Sequence, residues 1–183
     1  MLFLHRRKAA LAALVLIGCS PSTKTYFPIA VGDVKQYSVR VGVMQRVEQI
    51  RVTGTDTVGA VAGYRMDGPG GVTRMAWNGN TLMCSEVGGV RFSPPLPLLP
   101  AADTQWSGVM EFAGKKGAGR ARITLKEATH TVAAKEIPAQ WVSAAFQGEL
   151  GNFELNTLFA QGIGIVRQEE KRDGVVVRSL ELD

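Results

Sequence analysis

The chain has 183 residues, with 21 Lys and Arg against 16 Asp and Glu, two His and two Cys. That length suits one domain with enough interior for a real core. So few His and Cys exclude a structural zinc site, which takes about four such ligands, and a disulfide-held scaffold.

Arg6, Arg7 and Lys8 open a short apolar run from Ala9 to Ile17. The run is too short to cross a bilayer as a helix, which needs about 20 residues. A basic start, a short apolar stretch and a small-residue cut site predict a helical secretory signal that is cleaved. Leu16-Ile17-Gly18-Cys19 resembles the lipobox of bacterial lipoproteins. The resemblance implies cleavage between Gly18 and Cys19, diacylglycerol on the Cys19 thiol and an acyl chain such as palmitate on the freed amine. Two or more chains anchor stably where one holds marginally. Ser20 stands where an Asp would imply inner-membrane retention under the enteric sorting rule. The resemblance therefore favours the outer membrane, facing the periplasm, over the inner.

The formal charge of +5 includes Arg6, Arg7 and Lys8 of the signal. The mature chain is thus close to neutral, and the high pI is no argument for nucleic acid. Residues 1–18 are read as the lipoprotein signal peptide, 19–25 as a lipidated polar tether, and 26–183 as a single β-rich domain. With Cys19 acylated, Cys84 has no partner for an intramolecular disulfide, so burial must hold the fold.

From Val34 the pattern is strand, turn, strand. Val34 to Val43 alternates, with Tyr37, Val39 and Val41 on one face; Val47, Ile50 and Val52 mark a second strand and Val58 to Met66 a third. Asp67-Gly68-Pro69-Gly70-Gly71 is a turn signal, and Asn78-Gly79-Asn80 joins two strands as a hairpin. Val90 to Phe92 is a short strand. Pro94-Pro95-Leu96-Pro97-Leu98-Leu99-Pro100 predicts an extended connector outside the sheet ladder, its leucines covering the sheet. Pro97 to Pro100 also fits the PxxP ligand pattern, but a rigid crossover accounts for it. Trp106 to Phe112, Arg122 to Leu125 and Thr129 to Ala133 continue the strands; Ile137-Pro138-Ala139 turns into Gln140 to Gln147; Phe153 to Ala160 is read as a strand. Lys171-Arg172-Asp173-Gly174 is a hairpin turn into Val175 to Leu182.

Tyr26-Phe27-Pro28-Ile29-Ala30-Val31-Gly32, with Tyr37 after it, resembles the Tyr-Phe-Pro-Leu-x-x-Gly-x-x-Trp-x-Tyr opening of a loose group of uncharacterised bacterial lipoproteins and secreted proteins. Lys35 stands at the Trp position. Phe159-Ala160-Gln161-Gly162-Ile163-Gly164-Ile165-Val166-Arg167 resembles the Gly-Val-Gly-Leu-Val-Lys ending of the same group, and the proline-leucine segment followed by Trp106 recurs there too. The resemblance speaks to fold and hardly to function.

Candidate chemistry is thin. Cys84 and His130 are the one possible thiol–imidazole dyad, which would need hydrogen-bond reach and a third group to orient the ring. A buried thiol in a strand is the plainer reading. Serine triads need the same histidine and a Gly-x-Ser-x-Gly elbow that is not present. Gly114-Lys115-Lys116-Gly117-Ala118-Gly119-Arg120 does not end in Gly-Lys-Ser/Thr, so it is read as a hairpin loop with solvated lysines and not a P-loop. Glu169 and Glu170 should face opposite ways and be solvated, and Asp56, Asp67 and Asp173 sit near glycine turns for local hydrogen bonding. Trp77, Trp106 and Trp141, with Phe92, Phe112, Phe146 and Phe153, either fill the core or line an apolar cavity, and core is favoured.

The sequence therefore predicts an all-β, mainly antiparallel fold of roughly ten strands, a strongly curved sheet or half-open barrel. The expected role is a lipid-anchored cell-envelope module that binds or scaffolds another envelope component without catalysis, with no cofactor, no metal and no nucleic-acid partner. The alternative is a carrier of lipid or another apolar ligand in a half-barrel cavity, and a hydrolase is the weaker alternative. A carrier needs a cavity of about 300 Å³ or more; a scaffold needs an exposed apolar patch or an unpaired edge strand.

Overall fold

In the computed structural model the described residues are 23–68 and 70–183. Gly18 and Cys19, the expected cleavage and lipid-attachment positions, lie outside them with the rest of the signal. The alternation read from the sequence becomes twelve strands among the described residues: β1 (Val34–Val41), β2 (Met44–Val58), β3 (Val61–Gly68), β4 (Gly71–Asn78), β5 (Thr81–Val87), β6 (Val90–Leu99), β7 (Thr104–Phe112), β8 (Lys115–Val132), β9 (Lys135–Gly148), β10 (Phe153–Ala160), β11 (Gly164–Arg172) and β12 (Val175–Leu182). Each is antiparallel to the next, and β12 returns to β1. The all-β reading holds, but the barrel is closed and not half open. Closure follows from burial: Tyr37 and Val39 of β1 and Leu180 of β12 share one interior, and their strands pair from Tyr37–Leu182 to Val41–Arg178. Neither strand is left as an edge that must be covered.

Side-chain period two sorts each strand into a lumen face and an outer face. Trp106 and Met110 of β7, Ala121 and Ile123 of β8, and Val142, Ala144 and Phe146 of β9 all point inward and are buried. The aromatics settle as core on this side. Phe92 lies 5.6 Å from both Trp106 and Phe146, and Phe153 stacks on Phe146 at 4.3 Å. Trp77 is only partly buried, and Phe112 stays 39% exposed.

Three local readings need correction. The proline-leucine segment is not a connector outside the ladder: it forms the second half of β6, paired to β5 through Cys84–Leu96, Met83–Pro97 and Leu82–Leu99. β6 tolerates its prolines because it pairs with β7 only through Val90 to Ser93, so the missing N–H groups fall where β6 has parted from that neighbour. There the indole N–H of Trp106 donates to the Pro94 carbonyl at 2.9 Å, while Leu96, Leu98 and Leu99 are buried. Next, the glycine-lysine stretch is not a loop. Ala113 and Gly114 form the turn with φ of 49° and 77°, and Lys115 onward is strand. Lastly, the chain runs straight through Ile137-Pro138 as β9, the turn having come earlier at Ala133-Ala134. The turn Asp173-Gly174, with φ of 50° and 77°, sits where the sequence put it.

Gly108 marks the tightest crossing near β6. A Cβ there would come within 2.4 Å of the Ser93 carbonyl oxygen and 2.7 Å of Pro94 Cδ. Cys84 lies fully buried on β5, its thiol directed at the Glu86 carbonyl at 3.2 Å, and burial pushes the thiol pKa up.

Two outcomes are expected. Gly108→Ala should lower the unfolding free energy by about 1–3 kcal/mol through overpacking against backbone, read as a shifted urea midpoint; an unchanged midpoint contradicts the close crossing. A thiol reagent should leave Cys84 unlabelled in the native protein and label it in denaturant, by mass spectrometry; rapid native labelling would contradict its burial.

Candidate functional site

Up-and-down order sends successive turns to alternate ends of the barrel. One end receives the N-terminal segment. A 3₁₀ turn, Thr23–Tyr26, docks there, with the Thr23 hydroxyl donating to the Asn80 carbonyl and the Gly162 N–H donating to the Thr25 carbonyl at 2.7 Å. The polar tether read at 19–25 is thus already part of the domain by Thr23. Tyr26 and Phe27 are buried, and Phe27 meets Phe159 edge-on at 6.0 Å.

The two terminal motifs meet at this place. Gly164 has φ of 104°, and a Cβ on it would lie 3.1 Å from the Phe27 ring and 3.0 Å from Lys35 Nζ. Lys35 donates to the Ile163 carbonyl. The Tyr37 hydroxyl donates to the Ile165 carbonyl at 2.9 Å, and burial raises the Tyr37 pKa. Burial also lowers the Lys35 pKa, against the opposing pull of Asp33.

Between this plug and the far end the lumen is not filled. A cavity of about 70 Å³ runs along β1 to β5, β11 and β12, with Ile50, Val52, Met66 and Met75 on its apolar wall. Gly88, Gln168, Arg178 and Leu180 also border an adjoining recess of about 30 Å³. Most polar groups here have partners within the protein: Gln168 donates to the Thr157 hydroxyl at 3.0 Å, and Asp33 accepts from the Ala30 N–H at 2.8 Å.

The far end also carries exposed apolar side chains. Val41, Val43 and Met44 crown the β1–β2 turn, with Val47 just below; Val175 and Val176 stand on the β11–β12 turn. β1 pairs with β12, so the two turns are neighbours. Phe112, on the β7–β8 hairpin, belongs to the same end and is capped by the Arg172 guanidinium at 5.2 Å.

Outside, charges alternate strand by strand. Arg74 holds Asp56 at 2.7 Å and also pairs with Glu86; Arg91 lies 3.4 Å from Glu86 and 4.0 Å from Glu111, and Lys116 lies 3.5 Å from Glu111. The hydrogen bond from Arg74 holds the Asp56 carboxyl below its usual range, and one from Thr53 does the same for Asp67. Opposite charges facing across strands support register. Asp56 is therefore a cross-strand partner and more than a turn residue, whereas Asp173 sits in its turn. Glu169 and Glu170 do alternate in direction but are not free in solvent: Arg167 binds Glu169 at 2.6 Å and Arg172 binds Glu170 at 2.9 Å.

The dyad is not assembled. Cys84 is enclosed in the core with its thiol on Glu86, while His130 rides the β8–β9 arm opposite Ile137. The slot's polar members, Lys35, Gln168 and Arg178, escaped the sequence reading. They are single residues on different strands, and the one signal was Lys35 at a position where the resembling group keeps an aromatic residue.

No protein-family model matches the sequence, and no curated protein matches it. Among solved structures, the fold is similar to that of a candidate lipoprotein from Parabacteroides distasonis, with a TM-score of 0.50, 12% identity, and coverage of 86% of this chain and 96% of that one. Lower scores are found with a candidate exported protein of YmcC-like fold from Bacteroides fragilis, at 0.46, 13% identity, 85% and 96% coverage. The hypothetical lipoprotein YmcC of Escherichia coli follows at 0.44, 6% identity, 88% and 93% coverage. At 12% identity the likeness to the Parabacteroides distasonis protein is one of fold alone.

Proposed function

We propose that this protein is a cell-envelope module, held at a membrane surface by lipid on Cys19, that binds a protein partner through the apolar far end of its barrel without catalysing a reaction. The observation that carries this reading is the position of the exposed valines. Thr23, the first described residue beyond the lipobox, docks at one end of the barrel; Val43, Met44, Val175 and Val176 lie at the other. A chain anchored through residues just before Thr23 turns that far end toward the aqueous compartment. Val31, Val34 and Val132 are exposed toward the anchored end; the far end carries the larger group on two neighbouring turns, and such a group marks an interaction surface.

The lipobox and the fold shared with another candidate lipoprotein support an envelope location, and Ser20 after the cysteine favours the outer membrane's periplasmic face. Closure at the β1–β12 seam removes strand addition there, since neither β1 nor β12 offers a free edge. The lipid-carrier reading is weakened by size: the lumen cavity of about 70 Å³ falls well below the ~300 Å³ of a ligand pocket for a drug-sized molecule. Catalysis finds little support in a lumen where Tyr37, Lys35 and Gln168 are each spent on a hydrogen bond within the protein.

Cys19→Ala should move the protein out of the lipid-anchored fraction, measured by membrane partition and by mass spectrometry of the mature N-terminus; full membrane partition of the variant would contradict the anchor. A photoreactive residue placed at Val43 should give one discrete protein adduct in intact cells, and Val176→Asp should abolish it. Equal labelling from a photoreactive residue at Val132, at the tip of β8, would sink the far-end assignment.

A further inference from the structure

We propose that the lumen slot is a binding site for a small anionic amphiphile, a carboxylate on a short alkyl chain, with Arg178 as its head-group receptor. Arg178 points from β12 into the lumen and borders both the cavity and the adjoining recess. Its guanidinium lies against backbone: a Cβ on Gly70 would stand 2.0 Å from Nη2, and one on Gly88 would stand 3.6 Å from Nη1. Two side-chain-free positions, in the β3–β4 and β5–β6 turns, thus let the arginine reach across the opening. Among the described residues its side chain makes no ion pair and no hydrogen bond.

The nearby carboxylates are already engaged. Glu170, its register partner on β11 and a neighbour in the recess, is bound through Oε1 by Arg172 at 2.9 Å, and Asp33 is bound through Oδ2 by the Ala30 N–H. The second cation of the slot, Lys35, is spent on the Ile163 carbonyl. A half-buried guanidinium with no anion gives up hydration without return. Its planar fork matches a carboxylate, with two parallel hydrogen bonds.

Beyond the guanidinium the wall is apolar, formed by Ile50, Met66, Met75, Val87 and Leu180, and it suits an alkyl chain. The volume sets the length. A water centre takes about 10–15 Å³, so 70 Å³ and the adjoining 30 Å³ hold on the order of eight non-hydrogen atoms. Hexanoate is that size; a membrane lipid is far larger. The site is therefore distinct from a lipid carrier's cavity and from the valine surface beside it.

The test is calorimetric titration of hexanoate into the full-length protein held in lipid nanodiscs, with empty nanodiscs subtracted. The wild type should bind hexanoate, and hexanol and hexylamine should bind at least about tenfold more weakly. Arg178→Met should weaken hexanoate by about tenfold or more, with Arg178→Lys between the two. Should thermal melting show that Arg178→Met is misfolded, Thr73→Phe, which keeps Arg178 and fills the slot from β4, should block binding instead. Absence of hexanoate binding to the wild type, equal binding by a folded Arg178→Met, unimpaired binding by Thr73→Phe, or hexanol binding as tight as hexanoate overturns the proposal.

Discussion

Five residue pairs, from Tyr37–Leu182 to Val41–Arg178, join β1 to β12 and leave neither terminal strand as a free edge. The N-terminal segment reinforces that seam from inside. Phe27 packs on Phe159, the Tyr37 hydroxyl reaches the Ile165 carbonyl, and Lys35 reaches the Ile163 carbonyl. Backbone from β10–β11 is therefore fixed to side chains from the start of the chain. With no disulfide among the described residues, such long-range contacts and the lumen's apolar burial carry the fold. The same contacts hold residues 23–27 at one end of the barrel, opposite the β1–β2 and β11–β12 turns.

The lumen is divided. Phe92, Trp106, Phe146, Phe153 and Met110 pack together on the β6–β10 side, where Phe92 and Phe153 border the smaller recess of about 30 Å³. The β1–β5 side lacks comparable bulk: its inward residues include Gly68, Thr73 and several medium-sized aliphatics, and a cavity remains there. The cationic members of that half, Lys35 and Arg178, come from strands joined at the seam. Closure thus positions the slot as well as the core. Outside, the alternating series Asp56, Arg74, Glu86, Arg91, Glu111 and Lys116 favours the observed register, because a one-residue slip would set each charge out of line with its partner.

Much of the fold was legible because burial in a barrel follows a two-residue period. Tyr37 and Val39, or Val142, Ala144 and Phe146, announce a face by alternation alone, and Asp173-Gly174 announces its turn by needing positive φ. The proline-leucine segment misled because Pro lacks an N–H; that matters only where a neighbour needs one, and β6 had already left β7. Ala113 and the Ala133-Ala134 turn gave no signal, since alanine is not a residue that favours positive φ. Closure was hidden for a different reason. Pairing between β1 and β12 joins the two ends of the domain, and local pattern does not report such distant partners. The two terminal motifs were recognisable as strings, but their direct contact was not. The slot stayed invisible because Arg178, Gly70 and Gly88 acquire meaning only when three separate hairpins are brought together.

The seam can be measured directly by native-state hydrogen exchange. If the barrel closes as described, the paired amides of Tyr37 to Val41 and Arg178 to Leu182 should be protected to the same degree as those in the middle of the β8–β9 pair. Exchange of the β1 and β12 amides as fast as that of the hairpin tips, beside slow exchange in β8 and β9, would mean an open sheet and would contradict the account.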